Sequence, residues 1–251
     1  MRTPRWIAPL LLGLLAILAW FLAVGFKLIG EYALPDPVLV FFRLITGIRE
    51  GYLLSALGQT MLEAFLGCLL AACIGIPLGL AISHWRFLSA SIEPYLAASQ
   101  AIPAVAIAPL LVTWIGYGMA PIVTLCAIIV IFPIVIGTAV GIRSLDSDVI
   151  AAARLDGAGG INLLLFIEIP LAGPNILAGL RTGFTLAITG AVVGEMVIGG
   201  QIGLGITLIT AQHLNDLPAM FAAIILLAIA AVGIYLILRA LENRAVRFAA
   251  S

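Results

Sequence analysis

The chain has 251 residues, with 12 Lys plus Arg against 12 Asp plus Glu, and 63% of its residues are hydrophobic while only 10% carry charge. In soluble domains about a quarter of residues are charged, so this balance excludes a water-soluble globular domain, and the zero net charge without a basic tail excludes a nucleic-acid-binding surface. Several apolar runs reach the ~20 residues that a helix needs to cross a hydrocarbon core of about 30 Å, which predicts an all-α membrane protein with about six transmembrane helices in a lipid bilayer.

The chain opens with Arg2 and Arg5, then runs apolar from Trp6 to Phe26. That run is longer than the roughly 7–15-residue core of a cleaved signal peptide, so it reads as an uncleaved first span with its basic end in the cytoplasm. Pro35 and Pro37 flank Asp36, interrupt any long helix and leave a short amphipathic piece in an external loop, so residues 1–50 hold the first span and that loop. The second span, Tyr52 to Ser83, contains GIPLGL and ends at SHWR, where Arg86 marks a return to the cytoplasm. A third runs from about Glu93 to Ile115, and the turn GYGMAP leads into a fourth from Pro121 to Ile142. A fifth covers Asn175 to about Ile198 and a sixth Pro218 to Leu238, so residues 51–251 read as the core of a single transmembrane domain.

The order is tested by the Lys and Arg near the span ends. With the N-terminus inside, the cytoplasmic side holds Arg2, Arg5, Arg86, Arg143, Arg154, Arg181, Arg239, Arg244 and Arg247, and the outside only Lys27, Arg43 and Arg49. Nine against three places both termini in the cytoplasm, together with the loop of about 143–173 between spans four and five.

That loop, centred on AAARLDGAGGINLLLFIEIPLAGP, keeps an apolar face yet carries Arg154, Asp156 and Glu168. Its first helix starts near Asp146 or Ser147, which cap free N–H groups, and ends at Gly157. After Gly159 and Gly160, the residues Ile161, Leu164, Leu165 and Glu168 follow helical spacing, and Pro170 and Pro174 are expected to stop that helix and launch the next span. The product is a rigid elbow against the membrane, a shape suited to a docking surface that transmits a push.

At this point the chain resembles the membrane permease subunits of ABC importers, whose cytoplasmic loop reads Glu-Ala-Ala, three residues, Gly, nine residues, Ile-x-Leu-Pro. Here Ala151, Ala152 and Ala153, then Gly157, then Ile167-Glu168-Ile169-Pro170 fall at those spacings. Ala151 replaces the acid and Ile169 the Leu; Asp148 lies one helical turn before Ala151. The segments SQAIPAVAIAPLLVTWIGYG, GIRSLDSDVI and GAVVGEMVIGGQIGLG are similar to the branch that serves sulfonates, taurine, nitrate, pyrimidine precursors and riboflavin.

The resemblance implies the type I importer transmembrane fold, in a bacterial inner membrane. It implies two ABC ATPase subunits as partners, an extracytoplasmic substrate-binding protein, and a second permease copy, expected as a homodimer. Coupling to the ATPase is expected through Asp148, Ala151, Ala152, Ala153, Arg154 and Leu155, continuing through Asp156, Gly157, Leu164, Ile167 and Pro170. ATP and Mg belong to the ATPase; this chain is expected to bind no cofactor and to be no enzyme, and it carries no phosphate-cradling glycine loop followed by Lys and Ser or Thr.

Cys68, Cys73 and Cys126 sit inside apolar runs and read as packing residues without a disulfide, and His84 and His213 have no ligand-spaced partner beside them, so no metal site is expected. Gly179 with Gly183, and Gly190 with Gly194, share helix faces and read as close packing, with a substrate-lining role as the alternative. Pro77, Pro103 and Pro109 fit either static kinks or hinges. Ionisable groups within spans normally face a cavity or a partner. Glu63 closes a polar stripe with Ser55 and Gln59 and fits a cavity or a helix–helix hydrogen bond equally; Glu195, beyond Thr185 and Thr189 on its helix, fits an interface anchor or a pathway group. The expected pathway is lined by Gln100, Thr185, Thr189, Glu195 and Glu63.

Arg181 is the one cation well inside spans three to six, which favours a neutral or amine-bearing solute, a pyrimidine or flavin-like vitamin precursor ahead of sulfonate, taurine or nitrate. A secondary transporter is expected to show internal repeats, and an intramembrane enzyme paired catalytic groups; neither pattern is found.

Overall fold

The structure is a computed structural model describing residues 7–27, 30 and 33–249; Arg2, Arg5, Trp6 and the last two residues lie outside it. Among the described residues every regular element is helical. In chain order these are α1 (Ile7–Gly25), α2 (Pro37–Arg49), α3 (Tyr52–His84), α4 (Arg86–Ala101), α5 (Ala104–Ile115) and α6 (Met119–Arg143). There follow α7 (Ser147–Leu155), α8 (Gly160–Leu163), a widened turn over Leu164–Glu168, α9 (Ile169–Ile198), α10 (Leu204–His213) and α11 (Leu217–Ala249).

Four helical stretches are long and apolar enough to cross a membrane: Tyr52–His84, Met119–Arg143, Gly160–Ile198 and Leu217–Arg244. The pair α4 and α5 qualifies as a fifth, and Leu11–Gly25 is a shorter apolar helix. The amphipathic piece expected after Pro35 is α2, whose start is fixed by Asp36 accepting from the Val38 N–H at 2.8 Å and by Pro37 in the first helical turn.

Two expectations are corrected. Span three is not one helix, because α4 and α5 meet at 101°. Pro103 has no N–H to continue the ladder and disfavours helical backbone at Ile102, which is extended at φ −83° and ψ 120°. Span five does not begin afresh after Pro170 and Pro174, since the chain stays helical from Gly160 to Ile198. The widened turn just before Pro170, in which the Ile169 N–H reaches back to the Leu164 carbonyl, accommodates the ring that a regular turn would reject.

The interior interleaves alanines with branched aliphatic side chains such as Leu125, Val130 and Ile134. Ala64, Ala71, Ala108, Ala187 and Ala191 are fully enclosed, while large side chains such as Leu12, Trp114 and Tyr117 point outward. This suits a chain solvated by lipid, where close backbone approach between helices holds the bundle together and apolar side chains face outward. The central pair is α6 and α9: a Cβ on Gly179 would stand 2.8 Å from the Pro133 carbonyl oxygen, and one on Gly183 2.7 Å from Val130 Cγ1. Gly190 and Gly194 close on Cys126 and Ile122 in the same way, so the small-residue face of span five is occupied within the subunit. It is therefore no argument for a second copy. On the other flank of α6, Gly75 and Gly79 on either side of Pro77 admit Ile134 and Thr138, and α3 runs unbroken through that proline. Cys68 and Cys126 lie in this core, whereas Cys73 is exposed on the outer side of α3.

Candidate functional site

The elbow is α7, its glycine turn and α8. Asp146 caps α7 by accepting the Asp148 N–H at 2.9 Å. At the other end the Ala158 N–H donates to the Ala153 carbonyl at 2.9 Å and the Gly157 N–H to the Arg154 carbonyl at 3.1 Å, with Gly157 at φ +88°. That double closure is the glycine-terminated helix stop anticipated from the sequence. Asp148, Ala151, Ala152, Arg154, Leu155, Asp156, Gly157 and Pro170 are exposed, Leu164 and Ile167 are half-buried, and Ala153 is buried. Leu155, Ile161 and Phe166 present large apolar side chains outward, Leu155 being 89% exposed.

A contact the sequence concealed ties the elbow to the bundle. Glu168, buried in the widened turn, meets His84 Nε2 at the end of α3 at 2.9 Å across 84 positions. His84 Nδ1 lies 2.9 Å from the Leu80 carbonyl oxygen, which orients the ring. Nearby, Arg143 at the end of α6 donates to the Ile82 carbonyl at 2.8 Å, to Ser89 Oγ at 2.9 Å and to Glu93 Oε1 at 3.0 Å, joining α3, α4 and α6 on the elbow side.

At the opposite end sits Glu195, 1% exposed. Its Oε1 accepts the Thr60 hydroxyl at 2.6 Å and its Oε2 accepts the Gly205 N–H in the first turn of α10. Thr60 Oγ1 in turn accepts the Leu204 N–H at 3.0 Å. The carboxylate and the threonine together satisfy free N–H groups at the start of α10 and hold α3, α9 and α10 as one unit. A Cβ at Gly203 would collide with the Glu195 carboxylate, so the glycine is what lets the chain pass this close. Glu63 is the neighbour of Glu195 and is 3% exposed, its Oε1 accepting from Gln59 Nε2 at 2.8 Å.

Gln100 and Thr189 come together beside the bend between α4 and α5, in the wall of a cavity of about 270 Å³ that Pro103, Ile129 and Leu186 also line. Thr185 is exposed on the same helix as Thr189, with its hydroxyl donating to the Arg181 carbonyl at 3.0 Å. Glu195 and Glu63 do not join this group; they are enclosed at the far end of the bundle. Arg181 is paired with Glu242 at 2.9 Å and lies 5.1 Å from the centre of the Tyr235 ring.

Sequence reasoning missed Thr60, His84, Glu168 as a clasp, and the whole of α10. The close run Gly199, Gly200, Gly203 and Gly205 was the available signal, since clustered glycines mark a tight chain path.

Comparison with known proteins adds four findings. Residues 71–247 match the family described as binding-protein-dependent transport system inner membrane component. The chain is 40% identical over 239 residues to the riboflavin transport system permease protein RibX of Chloroflexus aurantiacus, covering 94% of this chain and 89% of that one. It is 30% identical over 243 residues to the formylaminopyrimidine transport permease protein ThiX of Halalkalibacterium halodurans, covering 96% of each. In fold it is similar to a chain of the inward-facing MetNI methionine ABC transporter, at a TM-score of 0.69 and 16% identity, covering 77% of this chain and 96% of that one.

Proposed function

This chain belongs to the family of binding-protein-dependent transport system inner membrane components, and we propose that it forms the solute pathway of an ATP-driven importer and is driven through its elbow, residues 146–170. As a member of that family it is a multi-pass ABC permease of the inner membrane and is not itself catalytic. The observation that carries the coupling role is the elbow itself. A helix capped by Asp146 and closed at its glycine turn presents an exposed apolar edge, and beyond α8 the Glu168–His84 contact ties the elbow to the end of α3, which gives a push on α7 a route into the bundle.

In this reading, two ATPase subunits holding ATP and Mg²⁺ engage the exposed face of α7, Asp148 to Asp156, and an extracytoplasmic binding protein delivers the solute at the opposite end. Both termini lie in the cytoplasm, the chain acts as one permease domain, and a second identical copy completes the pathway. Gln100, Thr185 and Thr189 contribute exposed polar groups to that pathway, while Glu63 and Glu195 shape its outer end. The solute is a small polar molecule of the pyrimidine or riboflavin-like vitamin-precursor type. Two observations support that class: the names carried by the 40% and 30% identical relatives, and the engagement of Arg181 by Glu242, which leaves it unavailable to an anion.

The test is Gly157→Val. Gly157 has open space around its Cβ position but sits at φ +88°, so the substitution strains the backbone of the turn without a steric clash. The expected result is loss of ATPase co-purification, or ATP hydrolysis without uptake. Wild-type association, hydrolysis and uptake in this variant refute coupling through the elbow.

A further inference from the structure

A groove of about 630 Å³ runs between the end of α3 and the elbow, and its walls are apolar: Leu80 and Ala81 from α3, Ile161 and Leu163 from α8, and Leu164 from the widened turn. On α3, Pro77, Leu80, Ala81 and His84 recur at spacings of three and four and so share one face. Gly75 and Gly79, on the opposite face, close on α6, so the groove lies on the outside of the bundle core. Both walls belong to stretches long enough to cross a membrane, the last turns of Tyr52–His84 and the first of Gly160–Ile198. That places the groove at the depth where spans end and lipid headgroups begin.

At His84 and Trp85 the groove meets a second cavity of about 550 Å³, whose wall continues through Arg86 and Phe87. Trp85 is 64% exposed and Phe87 85%, an outward aromatic pair at a span end, where Trp commonly marks the membrane–water interface. Two guanidinium groups flank this mouth, Arg154 in the wall of the groove and Arg86 in that of the adjoining cavity. Both residues are exposed, and neither forms an ion pair among the described residues. The carboxylate in the groove, Glu168, does not compensate them, because it is buried and held by His84 at 2.9 Å. Apolar walls beneath two unpaired cations have the same division as an anionic phospholipid, with its chain below and its phosphate above.

We propose that this groove binds an anionic phospholipid of the leaflet on the elbow side, one acyl chain lying against Leu80, Ala81, Ile161 and Leu164 and the headgroup phosphate meeting Arg154 and Arg86. A free phosphate gains nothing from the apolar walls, and a zwitterionic lipid brings a cationic group of its own to the two guanidinium groups. Because the lipid touches both α3 and α8, it braces the joint that the Glu168–His84 contact also holds, and the elbow becomes sensitive to the charge of the bilayer. The assignment to the cytoplasmic leaflet rests on the permease reading, but the chemistry of the groove stands on the residues named.

The test is native mass spectrometry of the full chain without ATPase, released from nanodiscs made of equal parts phosphatidylglycerol and phosphatidylcholine. Its failure is separable from failure of the permease reading, which the co-purification experiment tests. The chain is expected to retain phosphatidylglycerol over phosphatidylcholine by about tenfold or more, the combined effect of two cations near a charged surface. Added glycerol 3-phosphate, which has the charge without the chain, is expected not to displace it. Arg86→Gln combined with Arg154→Gln is expected to erase the preference and Arg86→Lys with Arg154→Lys to keep it, which separates loss of charge from loss of fold. Ala81→Trp, which fills the groove and leaves both arginines in place, is expected to remove the retained lipid. The proposal is overturned if the wild-type chain retains the two lipids equally, or if glycerol 3-phosphate displaces phosphatidylglycerol. It is equally overturned if the Gln pair or Ala81→Trp keeps the wild-type preference, or if the Lys pair loses it.

Discussion

Thr60 on α3 and Glu195 on α9, 135 positions apart in the chain, are joined by a 2.6 Å hydrogen bond in the buried interior, and the same hydroxyl accepts the Leu204 N–H at 3.0 Å. One small side chain thus serves as donor to a carboxylate and acceptor for a helix start. Replacing it with Val keeps the branched shape and strands both partners. Thr60→Val is expected to destabilise the protein by about 1–3 kcal/mol, the cost of unsatisfied buried polar groups, with Thr60→Ser close to wild type. Thermal unfolding in detergent checks the order.

Gly203 and Gly200 form a matched pair of tests. A Cβ on Gly203 runs into the Glu195 carboxylate, whereas the nearest atom to one on Gly200 is 3.9 Å away. Gly203→Ala is expected to lower the melting temperature by several degrees and Gly200→Ala to leave it nearly unchanged. Equal effects would mean that the loop is free to move aside.

The α6–α9 contact predicts a similar contrast along one helix. Gly179→Ala places a methyl group 2.8 Å from the Pro133 carbonyl oxygen, while Gly173→Ala meets nothing within 4 Å. The first is expected to cost about 1–3 kcal/mol as overpacking and the second to be neutral, or slightly stabilising through better helix propensity. Melting curves of the two variants separate these outcomes.

The elbow clasp is asymmetric, and so is its expected response. The His84 side chain is 44% exposed and that of Glu168 8%. Losing Glu168 leaves a histidine that water can solvate; losing His84 leaves a buried carboxylate alone. His84→Ala is therefore expected to destabilise more, by about 2–3 kcal/mol against about 1 kcal/mol for Glu168→Ala. A reversed order in unfolding experiments would show that the pair is solvated in the folded protein.

Reactivity toward a membrane-impermeant thiol reagent sorts the pathway candidates. In a background lacking Cys68, Cys73 and Cys126, cysteine at Gln100, Thr185 or Thr189 is expected to be labelled, because those side chains are exposed in the single subunit. Glu195→Cys is expected to stay inert in its enclosed position. Labelling at Glu195 alone would invert the assignment of pathway and anchor.

The sequence made some of this legible and hid the rest for physical reasons. Hydropathy and proline placement located α3, α6 and α11 closely, since long apolar stretches leave few alternatives in lipid. The capped start and glycine stop of α7 were legible because they are local: the atoms involved lie within a dozen residues. Two prolines were legible only in part. Pro103 was expected as a kink or hinge within one span and instead separates α4 from α5 by 101°, and Pro170 failed to end a helix because the preceding turn widened, which nothing in the residue types announces. The Glu168–His84 and Glu195–Thr60 contacts were illegible because each joins helices far apart in the chain. His84 and Glu168 were each noted singly, and only the fold supplies the other half of the pair.

The unbroken run from Gly160 to Ile198 has 39 residues and spans roughly 58 Å at the helical rise, nearly twice the thickness of a bilayer core of about 30 Å. Its middle is packed closely on α6 at Gly179 and Gly183, where an added Cβ would meet Pro133 and Val130. A helix held at its waist acts as a beam on a fulcrum, with the widened turn before Pro170 as its softest point. Tilting it by about 5° carries each end through about 2.5 Å in opposite directions, for a rod of that length. The lower end carries Glu168 and the upper end Glu195, so a push that tilts this helix is expected to shift the start of α10 as well, with the two carboxylates as its contacts to neighbouring helices.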